Sequence, residues 1–212
     1  VPDGQISFTD LVRDTITFNS DTVGDFVIAR SDGMPTYNFA VVIDDALMKI
    51  THVIRADEHI ANTIRQVLLY EALGFTAPEF AHVSMILGPD RSKLSKRHGA
   101  LSIQHYREEG YLPEALLNYL ALLGWSDSSG EEILSPKELV ERFSLDRIAK
   151  SPAVFDITKL RWMNSQYIKE ESVDSLSELV APYLVKAGFF TEPLDNAAKT
   201  WIRQFVSAVQ EH

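Results

Sequence analysis

Cysteine does not occur in this sequence of 212 residues, and several other features that define common protein classes are missing as well. Without cysteine the chain can form neither disulfides nor thiolate metal sites. Its six histidines do not fall at a metal-ligand spacing such as i, i+4, so no resident metal is expected. The longest apolar runs, such as AVVI and SMIL, are far too short to cross a bilayer. No basic segment followed by an apolar one opens the chain as a signal peptide would, and these absences together predict a cytoplasmic protein without membrane association.

Positive charge is scarce, because 20 Lys and Arg residues stand against 30 Asp and Glu, a formal net charge of -10. That balance argues against indiscriminate binding to nucleic acids but leaves room for a local patch that contacts phosphates. Such a patch occurs in GPDRSKLSKRHGA, residues 88–100, which we call the basic loop. Its cations are Arg91, Lys93, Lys96, Arg97 and His98.

Strand-like and helix-like patterns alternate in the first half of the chain. Residues 25–35 (DFVIARSDGMP) predict a strand that ends in a turn, and residues 49–56 (KITHVIRA) and 80–88 (FAHVSMILG) predict two more strands. Between the last two, apolar residues at helical spacing predict a helix that has Asp57 as its N-cap and ends at Gly74. This order predicts a parallel α/β sheet, whose ligands collect at the carboxyl ends of the strands.

The second half is predicted to be helical. Pro113 opens a helix in PEALLNYLALLG, and DITKLRWMNSQYIK continues the helical pattern after a polar linker. Trp201, Ile202, Phe205 and Val209 recur at helical spacing near the end. We place the boundary between the two halves near Gly99.

The basic loop has two interpretations. A run of cations is most often only a solvated surface. Three details favour a phosphate site: the loop follows an apolar strand, Gly88 and Gly99 permit tight turns, and Ser95 offers a neutral donor between the cations. Lysine is a point charge with rotatable donors, so it can follow a leaving pyrophosphate. The sequence has no Gly-x-x-x-x-Gly-Lys run, which disfavours an ordinary Walker kinase or GTPase.

Three segments of the chain resemble one family of enzymes. KLSKR, residues 93–97, resembles the lysine-serine-lysine signature loop of class I aminoacyl-tRNA synthetases. Residues 30–75 resemble the second half of the catalytic domain of bacterial-type glutamyl-tRNA synthetases, and residues 156–168 resemble the entry into that family's tRNA stem-contact domain. The resemblance implies an α/β fold: the C-terminal half of a Rossmann-like class I synthetase catalytic domain, followed by an all-helical stem-contact region.

The resemblance also implies an ATP site. Lys96 would contact the ATP phosphates, while Lys93 and Ser95 would shape the basic loop and support the transition state. Glu58 and His59 would lie near the nucleotide, and Ile86 would pack on adenine. Mg²⁺ would arrive with ATP. For Glu58 the alternative is a favourable place near a positive helix terminus, and for Ile86 it is a place in the core.

A second implied site binds glutamate. Tyr37 and Arg55 would line the amino-acid pocket, where a guanidinium can grip the side-chain carboxylate bidentately. The alternatives are a core aromatic for Tyr37 and a structural ion pair of Arg55 with Asp57 or Glu58. Val41 stands where some members of the family carry asparagine, so the hydrogen bonding of the pocket is expected to differ there.

Lys159 and Arg161 would contact the phosphates of tRNA(Glu), positioning the nucleic acid without reading its sequence. The parent enzyme would activate glutamate with ATP and pass the acyl group to this tRNA. We expect that parent to be a monomer as a full-length protein.

The expected domain organisation follows the same resemblance. Residues 1–98 would form the C-terminal half of the nucleotide-binding catalytic domain with the tail of the acceptor-end insertion, residues 99–171 the helical stem-contact domain, and residues 172–212 the start of the helical anticodon-binding region. Every histidine lies at position 52 or later, and none belongs to the histidine signature of the first half-site. We therefore expect a central fragment that is inactive alone.

Three other functions remain open from sequence alone. A glutaminyl-tRNA synthetase shares the architecture, although a carboxamide substrate would gain less from Arg55. A non-catalytic tRNA-binding module could be built on the same fold. A short paralogue that modifies a tRNA base is disfavoured, because such a protein lacks the stem-contact segment present at residues 156–168.

Overall fold

A computed structural model describes residues 1–95 and 102–210 of the chain. The first half is built around a four-stranded sheet with the strand order β2-β1-β4-β3. Strand β1 is antiparallel to β2, whereas β4 lies parallel to both β1 and β3. The strands are β1 (Gln5–Asp10), β2 (Asp14–Asn19), β3 (His52–Ala56) and β4 (Glu79–Val83). The parallel pairs confirm the α/β class.

Three helices accompany this sheet: α1 (Ser20–Val23), α2 (Tyr37–Met48) and α3 (Ile60–Leu73). Helix α3 is the crossover between the parallel strands β3 and β4, which is the connection that parallel strands require. It ends at Gly74, whose backbone is left-handed with φ of 69°, as predicted. Val42 of α2 and Ile64 of α3 are buried in one cluster with Phe80 of β4.

Residues 25–35 do not form the predicted strand. Only an isolated bridge joins Ala29 to Pro35 across a turn at Gly33. Val27 and Ile28 are exposed, so the segment lacks the buried face that makes such residues favour a strand.

Asp57 is not an N-cap either. It opens a 3-10 turn, Asp57–His59, in front of α3, and its side chain caps neither helix. Its Oδ2 instead accepts a hydrogen bond from Nη2 of Arg13 at 2.8 Å. Arg13, in the β1–β2 turn, thus binds the carboxylate that the sequence pattern assigns to the N-cap of the helix.

The strand predicted over residues 80–88 is split in two. After β4 a break precedes β5 (Ile86–Leu87), which leaves the main sheet and pairs in parallel with β6 (Ala153–Val154). Strand β6 interrupts the helices of the second half, and it is too short for its sequence to carry a strand pattern. This pairing joins residues from before and after the predicted boundary near Gly99.

Helices dominate the described part of the second half, as predicted: α4 (Ile103–Glu108), α5 (Pro113–Leu122), α6 (Pro136–Arg142), α7 (Ile157–Glu170), α8 (Val173–Lys186) and α9 (Asn196–Val209). Pro113 opens α5, and Asp156 caps α7 by accepting from the backbone N–H of Thr158 at 2.8 Å. Tyr119 of α5 and Leu160 of α7 are buried against each other's helices, and α9 buries Ile202 against α8. Among the described residues, no helix combines the length and apolar character needed to cross a membrane.

Candidate active site

The candidate site lies at the carboxyl ends of β3 and β4. Arg55 is the penultimate residue of β3, and its register partner on β4 is His82. Side chains at paired positions of neighbouring strands stand on the same face of a sheet, so the two lie side by side. Thr63 and Gln66 of α3 cover them. The local fold thus delivers Arg55 to the edge where parallel sheets collect ligands.

Arg55 is held by neutral groups. Its Nη2 donates to Oγ1 of Thr63 and to Oε1 of Gln66, both at 2.6 Å, and its Nε donates to Nε2 of His82 at 3.3 Å. The guanidinium carbon stands 5.9 Å from the centre of the Phe80 ring. Within residues 1–95 and 102–210, no carboxylate forms an ion pair with Arg55. Its charge is therefore fixed in place but not neutralised by a direct partner.

The two carboxylates that the sequence offers as ion-pair partners for Arg55 bind other cations. Asp57 pairs with Arg13 at 2.8 Å, and Glu58 pairs with Lys93 at 2.5 Å. The structure therefore does not support the alternative in which Arg55 serves a structural ion pair with either carboxylate.

Tyr37 stands beside Arg55. It is the first residue of α2 and is 55% exposed, which differs from the buried core aromatic that was its alternative. Burial lowers the pKa of Arg55, and the nearby Tyr37 hydroxyl acts in the opposite direction. Burial also raises the pKa of Asp45, whereas the positive charge of Arg55 lowers it. Arg55 and Tyr37, predicted from sequence, are thus brought together.

Asp10 and His82 form a buried pair that the sequence does not reveal. Their side chains are fully buried, and Nδ1 of His82 lies 2.6 Å from Oδ2 of Asp10. The other carboxylate oxygen accepts from the backbone N–H groups of Val12 at 3.0 Å and Arg13 at 2.8 Å. The two residues are 72 positions apart, and a histidine within the apolar run FAHV is the only local sign of the pair.

The titration of this pair is shaped by burial and by the hydrogen bonds. Burial acts to raise the pKa of Asp10, but the bonds from His82 and from the backbone of Arg13 and Val12 outweigh it, and the net pKa is lowered. The pKa of His82 is lowered because burial disfavours the imidazolium; Asp10 opposes this shift, and the charges of Arg55 and Arg13 reinforce it. The stable form of the pair is a carboxylate with a neutral imidazole.

Two of the residues predicted for the ATP site, Glu58 and Lys93, meet just beyond β3. Oε2 of Glu58 lies 2.5 Å from Nζ of Lys93, although 35 positions separate them. The hydrogen bond from Lys93, together with its positive charge, holds the pKa of Glu58 below its usual value. His59 follows Glu58 in the same turn, and its Nδ1 lies 3.2 Å from Nδ2 of Asn62. Two predicted elements, the end of β3 and the basic loop, are therefore in contact.

The remaining predicted ATP-site residues are placed as follows. Ser95 is half-buried and lies on the chain after β5. Ile86 belongs to β5, pairs with Ala153 and packs on the core cluster of α5 and α7, so part of its side chain serves the core. Lys96 lies outside the described residues.

Lys159 and Arg161 both lie on α7. Nζ of Lys159 lies 2.5 Å from Oε1 of Glu132, so this cation already has a partner. Arg161 is exposed, and the neighbouring Trp162 is 44% exposed. Of the two predicted tRNA contacts, Arg161 is the more accessible to a phosphate.

A surface cavity of about 570 Å³ lies away from all of these residues, beside α8 and α9, where Phe189, Phe190 and Trp201 contribute to its lining. No group of three or more His, Asp or Glu side chains able to hold a metal ion occurs among the residues that the structure describes. The Arg55 region is distinguished by its fixed charge and its buried polar contacts.

Comparison with known proteins gives one consistent result. The sequence pattern of the family "tRNA synthetases class I (E and Q), catalytic domain" matches residues 2–162. The glutamate–tRNA ligase of Heliobacterium modesticaldum is 58% identical over the whole chain, and that of Desulforamulus reducens is 55% identical. The chain covers 43% and 44% of these two relatives, so it spans less than half of their length.

Solved structures agree. The glutamate–tRNA ligase of Elizabethkingia meningosepticum, determined in complex with its amino acid, is 37% identical and superposes with a TM-score of 0.87 over 99% of this chain and 44% of its own. The glutamate–tRNA synthetase of Elizabethkingia anophelis gives 36% identity and a TM-score of 0.88. The resemblance found in the sequence and the Rossmann-like class I fold are thereby confirmed. The chain belongs to the family of catalytic domains of class I tRNA synthetases of the E and Q type.

Proposed function

We propose that this chain carries the glutamate-binding and ATP-binding part of a glutamate–tRNA ligase, which activates glutamate with ATP and transfers it to tRNA(Glu). The observation that carries the proposal is the guanidinium of Arg55, which is fixed by His82, Thr63 and Gln66 and has no direct carboxylate partner among the residues that the structure describes. The names of the similar proteins support the same reaction.

Arg55 suits the side chain of glutamate. Its Nε and Nη2 are engaged inside the protein, so a ligand carboxylate would meet Nη1. This single contact is less than the bidentate contact expected from sequence, but no carboxylate of the described residues pairs with Arg55, so its charge remains available to the ligand. The hydroxyl of Tyr37 would orient the same ligand. A glutamine side chain lacks the negative charge and would gain less, which favours the glutamyl over the glutaminyl enzyme.

The nucleotide would bind between the turn after β3 and the basic loop. In the activation step an oxygen of the glutamate α-carboxylate attacks the α-phosphorus of ATP, and pyrophosphate leaves with the electron pair of the broken P–O bond. Lys93, with Lys96 and Ser95, would stabilise the leaving pyrophosphate, while Glu58 and His59 would line the site. Ile86 would contribute to the adenine contact.

The ion pair of Glu58 and Lys93 would be replaced when phosphate oxygens approach. Magnesium would be bound through the phosphates of ATP, since the described residues offer no cluster of ligands for a metal of their own.

Transfer requires the nucleic acid. A terminal hydroxyl of the tRNA would attack the activated carbonyl and displace AMP. Arg161 and Lys159 on α7 would hold the tRNA backbone, with phosphate contacts that set position without sequence information.

The test is glutamate-dependent exchange between ATP and pyrophosphate, measured on the complete gene product with and without tRNA. We expect exchange with glutamate and far less with glutamine. Arg55→Lys should raise the KM for glutamate by about tenfold or more and leave the KM for ATP nearly unchanged, because the single ammonium nitrogen of lysine cannot reproduce the planar arrangement of the guanidinium bonds.

Arg65→Lys on α3 is the matched control. Absence of exchange with retained binding of tRNA would contradict the proposal and favour a non-catalytic tRNA-binding module. Equal exchange with glutamine would contradict the assignment of Arg55.

A further inference from the structure

We propose that His82, oriented by Asp10, is a positioning residue that sets the direction of the Arg55 guanidinium and thereby the affinity for glutamate. This inference rests on the proposed function, and it concerns a fully buried pair that would act through Arg55. It is carried by the register pairing of Arg55 with His82, the full burial of Asp10 and His82, and the order of the hydrogen bonds between them.

The hydrogen-bond inventory allows one neutral form of His82. A carboxylate only accepts, so Nδ1 at 2.6 Å from Oδ2 of Asp10 must carry the proton. Nε2 lies 2.9 Å from Oγ1 of Thr63 and 3.3 Å from Nε of Arg55. A guanidinium only donates, so Nε2 must be bare, and the Thr63 hydroxyl can donate to the same nitrogen. Both conditions are met by the neutral imidazole protonated at Nδ1. A carboxylate that fixes the tautomer of a histidine is a known way to orient its second nitrogen.

Asp10 is itself firmly held. Its Oδ1 accepts from the backbone N–H groups of Val12 and Arg13, and its Oδ2 also accepts from the backbone N–H of His82 at 3.0 Å. The orientation is therefore transmitted from the β1–β2 turn through the imidazole to the end of β3.

The arrangement keeps the charge of Arg55 available. A carboxylate in direct contact with the guanidinium would fix it equally well, but it would compete with a ligand carboxylate. Here the carboxylate of Asp10 lies on the far side of the imidazole ring, and the side chains that accept from Arg55 in the described part of the chain are neutral. If Asp10 and His82 only filled this buried space, apolar side chains would serve as well and would avoid the cost of burying a carboxylate.

The protonation state of His82 agrees with this role. The charged groups around it are Asp10 from β1, Arg55 from β3 and Arg13 from the β1–β2 turn. Burial lowers the pKa of His82, which keeps the ring neutral and Nε2 able to accept.

Two substitutions of His82 test the contacts of its two ring nitrogens separately. In His82→Asn the shorter amide retains a donor toward Asp10 but has no acceptor near the position of Nε2. In His82→Gln the longer amide can place its oxygen there. With the complete gene product, we expect His82→Asn to raise the KM for glutamate by about tenfold to a hundredfold, which matches the loss of a hydrogen bond to a charged group, and His82→Gln to restore part of it.

The KM for ATP and kcat should change much less. His52→Asn, at the exposed start of β3, the strand that carries Arg55, is the matched control. If His82→Asn raised the KM for glutamate and the KM for ATP equally, or left the KM for glutamate unchanged, the proposal would be overturned.

A second measurement does not depend on a variant. Nitrogen NMR of the complete gene product with ¹⁵N-labelled histidine should show one buried ring protonated at Nδ1 and bare at Nε2; a charged ring or the opposite tautomer at His82 would overturn the proposal. If the wild type shows no glutamate-dependent exchange, the proposed function fails. If the wild type is active and His82→Asn binds glutamate normally, only the positioning role fails.

Discussion

Replacing Gln66 by methionine tests whether the polar contacts around Arg55 stabilise this end of the sheet. Gln66 is 2% exposed, and its two ends serve two partners. Its Oε1 accepts from Nη2 of Arg55 at 2.6 Å, and its Nε2 donates to Oδ1 of Asn38 at 3.0 Å. Methionine has a similar length and fills the space, so Gln66→Met removes the two hydrogen bonds with little change in packing.

The expected magnitude follows from the two bonds. A hydrogen bond to a charged group contributes about 1.5–3 kcal/mol and a neutral one about 0.5–1.5 kcal/mol. Since Asn38 is half-buried and water can replace part of its lost bond, we expect the local free energy of opening to fall by about 2–4 kcal/mol. Amide exchange within residues 52–83 should then accelerate by about 30-fold to 1,000-fold.

Hydrogen–deuterium exchange read by mass spectrometry measures this change region by region. Peptides from residues 196–209 serve as the internal reference, because they belong to the separate cluster of α8 and α9. Gln66→Glu keeps the acceptor for Arg55 and loses the donor to Asn38, so it should show the smaller effect. Unchanged protection of residues 52–83 in Gln66→Met, or an equal loss in both regions, would refute the reasoning.

Three further predictions concern other parts of the molecule. Lys93→Ala should slow glutamate-dependent exchange by about 100-fold with little change in the KM for glutamate, since the lysine acts on the leaving phosphate; a loss confined to that KM would contradict this. Arg161→Ala should reduce the salt slope of tRNA binding by about one, and Lys159→Ala by less, because Glu132 already occupies Lys159; a filter-binding titration over salt concentration decides the order. The pKa of Asp127 is lowered to about 2, mainly by the hydrogen bond from the Ser129 hydroxyl, so this carboxylate should stabilise the fold above its ordinary pKa of 3.8 and lose that contribution as the pH falls toward 2. In Asp127→Asn the melting temperature should therefore fall less steeply over that pH range.

The position of Arg55 could be predicted from the sequence, but its hydrogen-bond partners could not. Its place after an apolar strand and before a helix predicts a position at the carboxyl end of a sheet, and the structure confirms it. The partners that hold it come from positions 8 to 27 residues further along the chain, and the sequence pattern contains no information on which acceptor it selects. Asp57 and Glu58, adjacent in sequence, were the natural candidates, yet each meets a cation brought in by another element.

The strand predicted over residues 25–35 does not form for a related reason. Val27 and Ile28 favour a strand locally, but a strand needs a neighbour and a buried face, and tertiary packing supplies neither at this place. Asp10 is the opposite case, because nothing in its immediate sequence distinguishes it from a surface aspartate. Its role depends on β4 lying beside β1, which is a property of the topology.

The pairing of β5 with β6 has a consequence for how this chain tolerates changes of length. The chain leaves β5 after Leu87, passes through the basic loop and helices α4, α5 and α6, and returns at Ala153. The two ends of this long excursion are joined in register, and the backbone N–H of Phe155 donates to the carbonyl of Leu87 at 2.8 Å.

Once the ends of a loop are fixed, doubling its length costs only about 0.6 kcal/mol of closure entropy. An insertion in a solvent-exposed part of this excursion would therefore leave the start of α7 where it is relative to the start of the basic loop. The spacing between the segment proposed to bind phosphate and the helix proposed to hold tRNA is thus independent of the length of the chain that connects them.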